Sequence, residues 1–128
     1  MKRAVCALIF TNSNKILAVS RKYDPTDFGL VGGKVDPGET PEEALVRETK
    51  EETGLDLTEY KQVFEIEDSG FICTTYLCKA SGQVSSSEKG IVKEVDWMEL
   101  LNGTFGSYNS QLFNHLCKKI FKICQEQD

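Results

Sequence analysis

One segment of this 128-residue chain, Gly33 to Leu55, limits what the chain can fold into more than any other. Its centre predicts a helix from Pro41 to Thr53, because Thr40 and Glu43 form a capping box and proline suits the first helical position. Gly54 follows at the place where helices commonly end in a left-handed residue. We therefore expect a glycine-rich loop that leads into a well-defined helix.

Three carboxylates lie on one face of this predicted helix. Glu48 and Glu52 are four residues apart and Glu51 is three residues from Glu48, so the side chains are neighbours and repel one another. A hard divalent cation relieves such repulsion, since Mg²⁺ takes carboxylate oxygens as ligands and keeps several waters. The spacing predicts a metal-binding patch, while the opposite side of the helix can pack on a sheet through Ala44, Leu45, Thr49 and Leu55.

The loop before the helix has features that suit the same chemistry. Gly32, Gly33 and Gly38 permit backbone conformations and close approaches that side chains would block. Such a loop can turn a carbonyl group toward a metal, which makes Gly33 a candidate ligand. Glu39 stands just ahead of the helix and can bridge back to Arg47, which also reaches Glu43 and Glu51 at a spacing of four. We expect this ion pair to fix the loop on the helix.

The rest of the chain intersperses strands with helices, which predicts a mixed α/β domain over residues 1–128. Before the predicted helix we expect a hairpin of Ala4–Phe10 and Lys15–Ser20 and a glycine-rich loop from Phe28 to Gly38. After it we expect a strand pair of Lys61–Glu67 and Phe71–Ala80, a polar loop over Ser81–Gly90 and a strand over Val92–Met98. A last helix is predicted over Asn109–Cys124, with an apolar stripe of Leu112, Leu116, Ile120 and Ile123.

Composition excludes several classes of protein. The net charge is −5, from 15 basic and 20 acidic residues, which argues against a protein that grips nucleic-acid phosphates with a basic face. The sequence has no apolar run long enough to span a membrane. Its five cysteines form no C-x-x-C pair, and His115 is the one histidine, so we expect reduced thiols in a cytoplasmic protein and no zinc site.

The helix and its loop resemble the Nudix box, G-x(5)-E-x(7)-R-E-U-x-E-E-x-G-U with U aliphatic. The matching positions are Gly33, Glu39, Arg47, Glu48, Glu51, Glu52, Gly54 and Leu55. Thr49 departs from the pattern, since an aliphatic residue is usual there, and we expect a small loss of packing. Val31 stands where the family often has proline. The resemblance implies the Nudix α/β/α sandwich with a mixed β-sheet.

The resemblance also implies a reaction. Nudix enzymes use Mg²⁺ or Mn²⁺ to hydrolyse a nucleoside diphosphate linked to another moiety. For this chain we favour a nucleoside triphosphate cleaved to monophosphate and pyrophosphate, in the manner of MutT. An ADP-ribose or nucleotide-sugar pyrophosphohydrolase is the alternative. The family's marker for ADP-ribose is a proline beyond the box, and the absence of any proline after Gly54 weakens this alternative. An enzyme acting on an RNA 5′ end and a non-catalytic nucleotide sensor are further alternatives.

The same resemblance assigns roles to residues, with the identity of the general base left open. Glu48, Glu51 and Glu52 would be catalytic and, with Gly33, metal ligands; Glu88 would add a late carboxylate, with Glu94 as its rival. Glu39, Arg47, Gly38 and Gly54 would be structural. The candidates for substrate binding are Arg21, Lys34, Phe28 and Asn109, where Asn109 would read the nucleobase or simply cap the last helix. We expect a monomer or homodimer, and no nucleic-acid partner other than an RNA 5′ end.

Overall fold

The computed structural model describes residues 2–85 and 90–126. Within these residues the strands are β1 (Lys2–Ile9), β2 (Ile16–Arg21), β3 (Asp24–Lys34), β4 (Asp56–Asp68), β5 (Phe71–Ser81) and β6 (Val92–Val95). The helices are α1 (Pro41–Thr53), α2 (Trp97–Leu101) and α3 (Gly106–Glu126). None of the described helices is long and apolar enough to cross a membrane.

The strands form one mixed sheet in the order β4-β5-β1-β3-β2-β6. β1 runs parallel to β5 and antiparallel to β3, so Ala4 has Cys73 on one side and Lys34 on the other. Successive side chains of a strand point to opposite faces, and the core is accordingly divided in two. Val5 and Ala7 pack with Leu45 of α1 on one face, whereas Leu8 packs with Leu100 of α2 on the other. The expected α/β sandwich is confirmed.

The predicted hairpin at the beginning of the chain is wrong. β1 and β2 do not pair as neighbouring strands; an isolated bridge between Phe10 and Ile16 encloses the turn in which Thr11 N donates to Lys15 O at 2.8 Å. β3 lies between the two strands and pairs with both of them. The local turn was therefore correct, but the partner of β1 is a later strand.

Three other expectations about elements need correction. The glycine-rich stretch from Phe28 is not a loop as far as Gly38, because β3 continues to Lys34. The strand expected over Val92–Met98 ends at Val95, since the Asp96 side chain accepts a hydrogen bond from Glu99 N and caps α2. The last helix begins at Gly106 and not at Asn109. The predicted apolar stripe of this helix is buried at Leu112 but exposed at Ile120 and Ile123, because the end of the helix extends past the sheet.

The predictions for α1 and for the β4–β5 turn are confirmed. Thr40 caps α1, its side chain accepting from Glu43 N at 3.1 Å while Glu43 Oε1 accepts from Thr40 N at 3.1 Å. Gly54 ends the helix with φ of 78°. Ser69 and Gly70 both have positive φ, which is the backbone of a tight hairpin turn between twisted strands. Helix α1 is thus fixed at both ends before it packs on the sheet.

Candidate active site

Helix α1 delivers two acidic side chains to the backbone of β3. Glu48 and Glu52 are both only 8% exposed, a low value for carboxylates. Gly32 N donates to Glu52 Oε2 at 3.4 Å. A Cβ atom at Gly33 would lie 2.6 Å from Oε1 of Glu48, so the absence of a side chain there makes room for the carboxylate. The two carboxylates therefore lie beside the end of β3, the strand that carries both glycines.

Arg47 connects this pair with the loop ahead of the helix. Its Nε donates to Glu39 Oε2 at 2.7 Å, which is the ion pair expected from the sequence. Its Nη1 donates to Glu48 Oε1 at 2.9 Å and to Glu51 Oε2 at 3.3 Å, and its Nη2 donates to Lys34 O at 3.2 Å. The guanidinium therefore joins loop, strand and helix, and it orients Glu48.

The Arg47 contact has a strong effect on Glu39. Hydrogen bonds from Arg47 and from the main-chain N–H of Asp36 lower the pKa of Glu39 from its ordinary value of 4.5 to about 2. Glu39 is therefore ionised throughout the physiological pH range. The contact between Arg47 and Glu43 that the spacing allowed is not formed, because the Glu43 carboxylate bonds to Thr40 N.

Thr49 lies fully buried under the helix, where its hydroxyl donates to Leu45 O at 2.8 Å. Thr53 repeats this arrangement one turn later, donating to Thr49 O at 2.6 Å. A buried hydroxyl is costly only when it lacks a partner. The departure from an aliphatic residue at Thr49 is therefore compensated within the helix itself.

The side chains present fit a hard divalent cation. Glu48 and Glu52 offer carboxylate oxygens beside the main chain of Gly33, and Mg²⁺ commonly uses one or two carboxylates and fills its remaining positions with water and substrate phosphates. In residues 2–85 and 90–126 no three His, Cys, Asp or Glu side chains form a closed metal cage. Glu51 lies further out, with its side chain 42% exposed against Arg47. The donor set suits a partly hydrated ion that is open to substrate.

Two clefts meet at β3 beside these carboxylates. The first, of about 290 Å³, is lined by Glu52, Arg21 and Lys22 together with Gly29 and Phe105. The second, of about 430 Å³, lies on the α3 side of the sheet, and its lining includes Lys34, Phe71, Cys73, Tyr108 and Asn109. Gly32, Leu30 and Phe105 line both clefts. A ligand can therefore extend from the second cleft across Gly32 to the carboxylates.

The sequence profile of the NUDIX domain matches residues 1–106 of the 128. The chain belongs to the Nudix family. The segment with the two buried glutamates is thus its Nudix box, and the match covers the whole sheet and helices α1 and α2.

Comparisons with individual proteins give the same family with different activities in their names. The ADP-ribose pyrophosphatase of Methanocaldococcus jannaschii is 57% identical over 49 residues, 37% of this chain and 29% of that protein. The CTP pyrophosphohydrolase of Escherichia coli is 41% identical over 73 residues, 53% of this chain and 54% of that protein. The alignments thus span less than two thirds of either relative.

A solved MutT structure, from work on the Aliivibrio salmonicida and Vibrio cholerae proteins, superimposes on this chain with a TM-score of 0.75. The sequences are 25% identical, and the superposition covers 92% of this chain and 98% of that one. The fold of this Nudix protein is therefore MutT-like over nearly its whole length.

The structure brings together three of the four expected substrate-binding residues of this Nudix protein. Arg21 lines the first cleft, with its guanidinium carbon 5.3 Å from the Phe105 ring centroid and its Nε 3.9 Å from Asp27 Oδ2. Lys34 lines the second, with Nζ 5.5 Å from the Phe71 ring centroid. Asn109 lines the same cleft. Arg21 thus lies in the cleft that contains Glu52, and Lys34 and Asn109 lie together in the other.

Phe28 is not part of this arrangement. It is 4% exposed and packs among Leu8, Ile16 and Leu100, with Lys93 Nζ 4.4 Å from its ring centroid. It lines neither cleft, so its ring serves core packing and is not exposed to a nucleobase in either of them. Glu94 is exposed on β6 and also lines neither cleft, while Glu88 lies outside the described residues. A further carboxylate from this region of the chain stays a prediction.

Asn109 occupies a different position from a helix cap. It lies one turn inside α3, is 1% exposed, and donates from Nδ2 to Leu100 O at 3.2 Å. The capping interpretation is therefore wrong, and the base-reading interpretation stays a prediction for a residue that lines the larger cleft.

Sequence reasoning missed several residues that line the clefts, namely Cys6, Phe71, Cys73, Phe105 and Tyr108. They come from β1, from β5, from the turn before α3 and from α3 itself, which are far apart in sequence. They meet because β1 inserts between β5 and β3 and because α3 begins over the same face. The alternation of Cys73 and Thr75 on β5 indicates a shared face, but nothing in the sequence says that the face borders a cleft.

Proposed function

We propose that this Nudix protein is a pyrophosphohydrolase that depends on Mg²⁺ or Mn²⁺ and cleaves a nucleoside triphosphate to monophosphate and pyrophosphate. The observation that carries the proposal is the position of the two carboxylates on β3: Glu52 lines the smaller cleft and contacts Gly32, which both clefts share, and Glu48 lies against Gly33, which lines the larger cleft. A nucleotide is long and has chemically different ends, so it suits two clefts joined at an acidic centre.

Glu48 and Glu52, with the Gly33 carbonyl group, are the proposed metal ligands. When bound, the cation would supply charge neutralisation for the phosphates and lower the pKa of an attacking water. The protein's own contribution is positioning, which is most of what phosphoryl transfer requires of it. Arg47 keeps Glu48 in place through the 2.9 Å contact. Glu51 is the proposed third catalytic carboxylate, held at 3.3 Å from the same guanidinium, and Glu88 stays a candidate for the base.

Arg21 and Lys34 are the proposed phosphate contacts. Arg21 lines the cleft that contains Glu52, so its guanidinium can neutralise oxygens of the phosphate chain. Lys34 follows Gly33 directly and lines the other cleft, which lets it contact the chain from the nucleoside side. These two cations are useful in a chain whose net charge is −5.

The larger cleft is the proposed nucleoside site. Asn109 offers both a donor and an acceptor, which suits the edge of a base, and aromatic rings line the walls. An ADP-ribose or nucleotide-sugar substrate is the second candidate, favoured by the name of the 57% identical relative over its 49 aligned residues. The intact box disfavours a non-catalytic sensor, and the acidic net charge disfavours an RNA 5′ end.

A substrate panel tests this proposal. Purified protein is given nucleoside triphosphates, ADP-ribose and nucleotide sugars with Mg²⁺ or Mn²⁺, and phosphate, pyrophosphate and monophosphate are separated by anion exchange. We expect monophosphate and pyrophosphate from a triphosphate. The matched pair of variants is Glu52→Gln and Glu59→Gln, where Glu59 is an exposed carboxylate paired with Lys79 on the far edge of the sheet. Faster turnover of ADP-ribose than of every triphosphate would favour the second candidate.

Three broader expectations belong to the same proposal. We infer that residues 1–128 form one Nudix domain, that the protein works in the cytoplasm, and that it is a monomer or homodimer. All five cysteines are free thiols, which suits a reducing compartment. Limited proteolysis and light scattering test the domain and its oligomeric state.

A further inference from the structure

Beneath the larger cleft, three side chains form a hydrogen-bonded chain that joins α3 to the sheet. The Tyr108 hydroxyl lies 2.6 Å from Thr75 Oγ1, and that oxygen lies 3.0 Å from Cys6 Sγ. The Tyr108 hydroxyl also donates to Cys73 O at 3.4 Å. Thr75 is fully buried and lines no cleft, whereas Tyr108 and Cys6 line the larger one. This chain of polar groups replaces what could have been simple apolar packing.

The chain holds the turn of α3 that carries Asn109. The ring of Tyr108 also packs edge-on against Phe64 of β4, with centroids 5.6 Å apart. Asn109, the next residue, is attached on the other side through its hydrogen bond to Leu100 O of α2. The first turn of α3 is therefore fastened to the sheet by one residue and to α2 by its neighbour.

Tyr108 makes two hydrogen bonds that join this turn of α3 to β5, one with Thr75 and one with Cys73 O. Burial raises the pKa of its hydroxyl, so this group is neutral at physiological pH. Thr75 has one hydroxyl hydrogen, and its neighbours are Tyr108 and Cys6, so the chain has few alternative arrangements. The substitution Tyr108→Phe would leave the hydroxyl of Thr75 buried without its 2.6 Å partner. Helix α3 would then lose the hydrogen bonds of Tyr108 to β5.

We propose that Tyr108 is a positioning residue for nucleobase selection: its contact with Thr75 sets the width of the larger cleft and the orientation of Asn109. This inference rests on the proposed function, because it assigns the specificity of that site to the Tyr108–Thr75 contact. The contact selects among bases without touching the phosphate chain, which lies beside Glu48 and Glu52. Tyr108 thereby acts on substrate preference more than on the hydrolytic step.

The test compares Tyr108→Phe and Thr75→Val, which remove the two hydroxyls separately. Each is expected to change the ratio of kcat/KM for a purine against a pyrimidine triphosphate by about fivefold or more, mainly through KM. Thr74→Val is the matched control: Thr74 is equally buried on β5, but it bonds to Glu65 at 2.7 Å on the opposite face. It should lower Tm and leave the ratio unchanged.

Binding of dGMP and dCMP, measured by calorimetry without metal, separates this inference from the proposed function. If the wild type binds these monophosphates with a ratio that Tyr108→Phe changes, but hydrolyses no triphosphate, the proposed reaction is wrong and the role of Tyr108 stands. If Tyr108→Phe lowers Tm while both ratios stay within twofold of the wild type, Tyr108 is only structural. Failure of the wild type to bind either monophosphate would also overturn the inference.

Discussion

The carboxylate of Glu48 fills the space that a side chain on Gly33 would need: a Cβ atom on residue 33 would lie 2.6 Å from both the carboxylate carbon and Oε1 of Glu48. Gly33 does not have a positive φ, so its backbone conformation is open to other residues. The glycine is therefore required by the approach of the carboxylate. Beyond the neighbouring residues of the chain, the three atoms nearest to such a Cβ all belong to the carboxylate of Glu48, so a side chain at this position would displace that carboxylate and leave the strand pairing in place.

This relationship predicts the effect of Gly33→Ala. We expect turnover to fall by about 10²-fold or more, because Glu48 would be pushed away from the metal position, at 1.36 kcal/mol for each tenfold loss. Tm should change little, since only the end of a side chain must move. Steady-state kinetics and thermal melting measure the two quantities. A variant that keeps more than about a third of the wild-type rate would show that the position of Glu48 is not critical.

Glu52→Gln is expected to lower turnover by about 10³-fold, a loss of roughly 4 kcal/mol of transition-state stabilisation. The fold should survive, because the substitution keeps the shape of the side chain and removes one of two neighbouring negative charges. Glu59→Gln provides the control for loss of one carboxylate at the surface and should keep the wild-type rate. Normal melting with an undiminished rate in Glu52→Gln would remove Glu52 from the proposed metal ligands.

The contact between Glu39 and Arg47 predicts a pH dependence of stability. The pKa of Glu39 is lowered from 4.5 to about 2 in the folded state, so the folded form is favoured when this group is ionised. Its contribution is complete above about pH 4.5 and is lost as the pH falls through about 2. Glu39→Gln should reduce the loss of Tm over this interval. Urea unfolding at several pH values measures it, and an identical acid dependence in wild type and variant contradicts the assignment.

Asn109→Ala is expected to change base preference and stability together. The amide is buried and bonds to Leu100 O, so its removal should cost about 1 kcal/mol of the free energy of unfolding. If Asn109 also reads the base, the ratio of kcat/KM for purine and pyrimidine triphosphates should shift, while the metal dependence of the rate stays as in the wild type. A lowered Tm with an unchanged ratio would leave Asn109 as a connection between α3 and α2.

Local signals in the sequence were sufficient for α1 and for the Nudix box. The capping box, the proline at the first position and Gly54 act over four residues or fewer, so they do not depend on the rest of the fold. The contact of Arg47 with Glu39 spans eight residues, yet it is predictable because the capping box fixes where the loop joins the helix. Asp96 followed by Glu99 is a comparable signal for the beginning of α2, and it indicates that β6 ends before Asp96.

Pairing between distant strands could not be obtained in this way. A turn at Thr11–Lys15 is compatible with a hairpin, yet β1 lies inside the sheet and pairs with β3 and β5, and no local signal distinguishes these partners from β2. Glycines at 32 and 33 indicate a loop by composition, but they lie in β3, where they admit Val5 and Glu48 at close range. The larger cleft depends on this topology, and so its residues Cys6, Cys73 and Tyr108 had no sequence signal.

The measurement that tests the central claim most directly is triphosphate hydrolysis by the wild-type protein with Mg²⁺, with Mn²⁺ and with excess chelator. The proposal that Glu48 and Glu52 hold a divalent cation beside the substrate predicts monophosphate and pyrophosphate with either metal, and loss of turnover in chelator that added metal restores. Undiminished hydrolysis in excess chelator, or the absence of any nucleotide hydrolysis with metal present, would contradict it.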